Sequence, residues 1–141
     1  MADKKSIFPE GMVNKSSGNS DNFTLEGIAG KLTYFHEQLH LIHWQTENYA
    51  EHQAIGSLYD AVHDFKDDVI EKLMGYTGKR IGLYKIEALS AKDSTEVVKS
   101  LEQYAHSLYE WAEEQEYCDI ENMAQDLSGK AAKTLYLLTL S

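Results

Sequence analysis

Residues 36 to 71, HEQLHLIHWQTENYAEHQAIGSLYDAVHDFKDDVIE, hold five of the six histidines of the chain, its first Trp and a row of carboxylates. Leu39 and Ile42 complete a stripe of apolar residues that begins at Leu25, Ile28, Leu32 and Phe35. A second stripe runs through Ile55, Leu58, Val62, Phe65, Val69, Leu73 and Tyr76. Steps of three and four place each set on one face of a helix. The polar run Gln45 to Glu51 separates the two, Thr24 is a natural N-cap for the first, and Gly78 a natural stop for the second.

Beyond this pair, residues 78–92 (GKRIGLYKIEALSAK) are too long for a tight turn and carry Ile81, Leu83, Ile86 and Leu89. They predict a crossover with a short helix of its own. Asp93 followed by Glu96 has the spacing of a capping box and opens a third stripe at Val97, Leu101, Tyr104, Leu108 and Trp111. A fourth runs Ile120, Met123, Leu127, Ala131, Leu135 and Leu138, after a break near Tyr117 to Asp119 that neither Gly nor Pro marks. Four amphipathic stripes, no proline after Pro9 and no strand-like alternation predict an all-α four-helix bundle over 23–141. The long connection between its second and third helices predicts one crossover, as in ferritin-like folds.

Composition bounds the partners. A chain of 141 residues with 43% hydrophobic residues is one domain with a sizeable core, and no apolar run approaches the ~20 residues that span a bilayer. No membrane association is expected. The N-terminus lacks an apolar stretch of signal length and Cys118 has no second cysteine to pair with, which predicts a reducing cytoplasmic setting. Residues 1–22 are polar and are expected to form a flexible tail, with Lys4, Lys5 and Lys15 balanced by Asp3, Glu10 and Asp21. A net charge of −10 repels phosphate backbones, so DNA binding is expected to be weak or absent.

At 100° per residue, Asp60, Asp64, Asp67 and Glu71 fall almost opposite the apolar stripe of the second helix, with His52 and His63 on its flank. His36, His40 and His43 flank the stripe of the first. Carboxylate and imidazole are ligand types for transition metals. The carboxylates point out of the bundle, which equally describes a solvated acidic face. The usual core site of a di-iron bundle needs a Glu-x-x-His on each of two helices, and this chain has a single one, Glu37-Gln38-Leu39-His40, so that site is not encoded.

His43-Trp44, a short loop, His52, then Leu58-Tyr59, Asp67 and Glu71 resemble the Dps-type mini-ferritins over about residues 32 to 76. That family has a His-Trp ending its first helix, a second His opening the next, a Leu-Tyr pair and an Asp-x-x-x-Glu. The resemblance implies an iron site between two subunits, with His43 and His52 from one chain and Asp67 and Glu71 from its mate. It further implies oxidation of Fe(II) by peroxide or dioxygen, with Fe(III) stored in a homo-oligomeric shell, a dodecamer built from two-fold dimers. Trp44 would be an electron donor that limits radical escape, or an interface aromatic. Gly56 stands where the family has an Asp, and the loop between His43 and His52 is shorter than usual. His63, one turn before Asp67, is a candidate to compensate. Two other functions fit the residues: a ferritin-like scaffold without full ferroxidase activity, and an acidic inhibitor or DNA mimic that engages a basic protein.

Overall fold

The structure, a computed structural model, describes residues 23–141; the predicted tail at 1–22 lies outside the described residues. Four helices and no strand occur among them: α1 (Leu25–Gln45), α2 (Tyr49–Thr77), α3 (Ser94–Gln115) and α4 (Cys118–Leu138). Thr24 caps α1 by accepting the Gly27 N–H at 2.9 Å, and Asn48 caps α2 by accepting that of Glu51 at 2.8 Å. Gly78 ends α2 in the left-handed region, φ 72°, with its N–H donated to the Met74 carbonyl. Only a residue without a Cβ enters that region freely. At α3, Asp93 caps the Thr95 N–H, while Glu96 lies beside Lys92 at 3.6 Å instead of reaching back to complete a capping box.

A three-residue turn reverses the chain between α1 and α2, so these helices are antiparallel. Residues 78–93 then return along α1 without forming a helix, which corrects the expected short helix there. The physical reason lies in what α1 offers them. The Glu26 carboxylate accepts the Gly82 N–H at 2.7 Å, and that bond holds its pKa below the usual carboxylate range. The buried Gln38 amide accepts the Ser90 N–H at 3.1 Å and donates to the Ser90 carbonyl at 2.9 Å. Lys31 pairs with Glu87 at 3.6 Å between these anchors. Backbone groups tied to side chains of another helix are not available for helical bonds of their own. The strap ends where α2 began, since the Ser94 hydroxyl donates to Glu51. Helices α2 and α3 therefore run in the same direction, and α4 reverses.

The core is one continuous cluster, from Ile28, Phe35 and Leu39 on α1 through Ile55, Val62 and Leu73 on α2 to Leu101, Leu108, Ile120 and Leu127. Ala105 and Ala112 on α3 and Ala124 and Ala131 on α4 are all fully buried, and such small side chains let packed helices approach closely. The α1 and α3 sides are instead spaced by an aromatic layer. Phe23 stacks on Trp111 at 5.5 Å, and Tyr104 lies 5.9 Å from both Phe23 and Phe35. The break after α3 falls at Glu116, the only non-glycine residue with positive φ, 64°, among the described residues. Tyr117 fixes it: its N–H bonds the Ala112 carbonyl at 2.9 Å, and its ring stacks on Tyr76 at 4.4 Å. Packing supplies what no glycine supplies there.

The Tyr104 hydroxyl is enclosed within the aromatic layer and has no hydrogen-bond partner. Burial pushes its pKa well above the ordinary tyrosine value. A folded-state pKa raised in this way leaves its stabilising contribution intact below the unfolded value of about 10, and removes it as pH rises through the folded one. Replacing Tyr104 by Phe removes an unsatisfied buried group and is expected to raise stability by about 1 kcal/mol near neutral pH. The variant should also lose less stability than the parent above about pH 10. Urea midpoints measured on both sides of that pH check the sign.

Candidate metal centre

The antiparallel pairing of α1 and α2 sets two histidine-bearing edges against each other. Positions 36, 40 and 43 follow the helical repeat on α1, and 52, 59 and 63 follow it on α2. The short turn fixes the register so that His43 meets His52, His40 meets Tyr59, and His36 meets His63. The result is a ladder of rings. His36 lies 5.7 Å from His40, 5.4 Å from Tyr59 and 5.4 Å from His63, centroid to centroid. His40 stacks on Tyr59 at 4.5 Å and packs against Trp44 at 3.8 Å, while Trp44 itself is two-thirds exposed, 67%.

At the turn end, the His43 Nδ1–H donates to the His52 carbonyl and the His52 Nδ1–H to the His43 carbonyl, both at 2.9 Å. A proton fixed on Nδ1 leaves Nε2 with a lone pair, the state a ligating imidazole needs. The two rings stack at 3.7 Å with planes 19° apart. Lone pairs lie in the ring planes, so an ion held by both nitrogens requires one ring to turn out of the stack. Gly56 is part of this arrangement: a Cβ there would sit 2.9 Å from His43 Cε1 and 3.1 Å from Nδ1. The imidazole occupies the space beside residue 56, so a carboxylate at that position would displace His43 before it could join it. Gly56→Ala is accordingly expected to shift the His43 ring resonances and break its bond to His52. The check is NMR titration of both imidazoles; unchanged His43 and His52 signals in the variant would show that the ring tolerates the Cβ.

Asp67 and Glu71 stand exposed further along α2. At 1.5 Å per residue they lie about 22 and 28 Å from His52 along the helix, so one chain cannot bring the four residues together. His63 falls between, beside His36 rather than with the turn pair. Among the described residues, no group of three or more His, Cys, Asp or Glu side chains is placed so that it could hold a metal ion. His36 and His40, which flank the apolar stripe of α1 in the sequence pattern, belong to the ladder, and so does Tyr59, read there as part of the Leu-Tyr pair. The signal for the first two was their fourfold spacing, His36-Glu37-Gln38-Leu39-His40. No helix among the described residues is long and apolar enough to cross a membrane.

A family model described as a family of unknown function (DUF5856) matches residues 43–138, from the first histidine of the turn pair to the end of α4. No curated protein and no solved structure matches the chain significantly.

Proposed function

The chain belongs to DUF5856, a family of unknown function, and we propose that it is a ferritin-like bundle protein that binds Fe(II) at a site shared between two copies. At that site it would oxidise iron with peroxide or dioxygen and retain the ferric product. The observation that carries this reading is the reciprocal bonding of His43 and His52, which sets both Nε2 atoms free at the outer edge of the α1–α2 seam. The carboxylates that would complete the set, Asp67 and Glu71, lie on the same helix but too far away to serve the same pair.

A two-fold pairing of copies along α2 resolves the separation, because it sets the turn end of one chain against the acidic stretch of the other. Imidazole and carboxylate together suit Fe(II), and carboxylate suits Fe(III) as it forms. Ferritin-like architecture agrees with α1 and α2 antiparallel, a strap running the length of the bundle, and α2 and α3 parallel. Trp44 stands beside the turn pair, exposed and packed against His40, where it could donate an electron or cover an interface. DNA is an unsuitable partner for a chain of net charge −10.

The test is anaerobic addition of Fe(II) to the full chain, followed by peroxide, with light scattering on the same sample. Ferric absorbance rising faster than in buffer, from a homo-oligomer, is the expected result. A folded protein that stays monomeric with iron and oxidises it no faster than buffer would remove the shared site.

A further inference from the structure

We infer that the strap between α2 and α3 is a surface on which two copies of this chain pair, antiparallel about a two-fold axis through Ile86. The inference goes beyond the shared iron site, needs none of its residues and holds with or without metal.

Residues 82–93 are all exposed. Leu83 is fully so, at 100%, and Tyr84, Ile86 and Leu89 stand out with it. Apolar residues scattered singly on a surface need no explanation, whereas four within seven positions form a patch of the kind that marks an interaction site. Among the described residues, no backbone group from 83 to 89 bonds other backbone, so the strap also presents an unpaired edge. Charge bears on the partner. A chain of net charge −10 repels its own copies on average. Along the strap the charges are largely answered within the chain: Glu26 acts on Lys79, Lys92 lies 3.6 Å from Glu96, and Lys31 lies 3.6 Å from Glu87. Repulsion between copies is weak here.

The order of the residues selects a second copy of the strap as the occupant. Read outward from Ile86, the segment Leu83-Tyr84-Lys85-Ile86-Glu87-Ala88-Leu89 is self-complementary. An axis at Ile86 sets Ile86 on Ile86 of the second copy, Leu83 on its Leu89, Tyr84 on its Ala88 and Lys85 on its Glu87, and symmetry repeats each unlike pair. Apolar and opposite-charge neighbours across such a pair stabilise it, while like charges directly opposite do not. Moving the axis by one residue sets Lys85 on Lys85 or Glu87 on Glu87 and a leucine against a charge. Further out, Lys79 falls opposite Asp93, and Arg80 opposite Lys92, which Glu96 already engages. The anchors on α1 flank this segment, with Glu26 holding Gly82 and Gln38 holding Ser90. A strap fixed at both ends gives up less freedom when it pairs.

A disulfide placed on the axis provides the test. In the full chain carrying Cys118→Ser, without added metal, Ile86→Cys is expected to give a disulfide-linked dimer under mild oxidation, because only a residue on the axis meets its own copy at bonding distance. Leu83→Cys alone should not link, since its copy lies roughly 20 Å away along the strap at about 3.3 Å per residue. A mixture of Leu83→Cys and Leu89→Cys proteins should link. Charge reversal reads the same register without a disulfide. Lys85→Glu and Glu87→Lys should each weaken pairing at least about tenfold in sedimentation equilibrium, and the double variant should restore it, with far-UV circular dichroism unchanged throughout. No link at residue 86, equal linking at 83 and 86, or a double variant that pairs no better than the singles would overturn the strap contact. None of these readouts involves iron, so the strap contact and the shared iron site can fail separately.

Discussion

A His52→Ala protein and a Glu71→Ala protein are each expected to oxidise Fe(II) at least about tenfold more slowly than the parent, since loss of even an outer partner of a metal site typically costs that much. Mixed in equal amounts under conditions that allow subunit exchange, they should recover part of the activity. The reason is geometric. Residue 71 lies 19 positions after residue 52 on the continuous helix α2 (Tyr49–Thr77), so the two groups cannot serve one ion in one chain. In a two-fold pair each site takes its imidazoles from one copy and its carboxylates from the other. A mixed pair then holds one site with both halves intact and one with both damaged. Random exchange makes half the pairs mixed, so about a quarter of all sites regain function. Recovery near zero, with exchange verified by mass spectrometry of labelled chains, would exclude the two-fold sharing.

The second large effect concerns the strap. Gly30→Ala is expected to destabilise the chain by about 2 kcal/mol, although alanine is a better helix former than glycine by about 1 kcal/mol. A Cβ at 30 would overlap the backbone carbonyl oxygen of Lys85, and Tyr84 lies close behind it. Backbone cannot rotate away as a side chain can, so the strap must lift. Lifting it removes the bonds from Glu26 to Gly82 and from Gln38 to Ser90, at about 1 kcal/mol for each bond lost. Gly129 is the control. Nothing lies within 4 Å of a Cβ built there in α4, so Gly129→Ala should stabilise by up to about 1 kcal/mol. Denaturant midpoints of the two variants should move in opposite directions; movement of both upward would show that the strap does not depend on the close approach at Gly30.

What a residue does locally was readable in the order of the residues. The apolar stripes fixed four helices, because a helix that must bury one face repeats its apolar positions every three to four residues. Thr24 and Gly78 marked ends correctly, since capping depends on a side chain and its own neighbouring backbone. Where two distant segments had to agree, the sequence was silent. The apolar residues Ile81, Leu83, Ile86 and Leu89 suggested a helix, yet the last three are exposed on an extended strap, because Glu26 and Gln38 claim its backbone. The break at Glu116 had no local sign, because Tyr117 is held there by Ala112 and Tyr76.

The site divides in the same way. His43, His52, Asp67 and Glu71 could be named from their residue types together with the mini-ferritin resemblance that picks them out, and both are properties of the chain alone. That His43 and His52 fix each other's tautomer depends on the turn folding α2 back on α1. That Gly56 makes room for the His43 ring depends on the same closure. That His63 stands beside His36 depends on the register between the two helices, which neither stripe encodes by itself. The sequence by itself determined which residues could ligate a metal and on which helical face each lies. Only the tertiary structure decided which of them meet, because contact between helices is set by packing across the core rather than by distance along the chain.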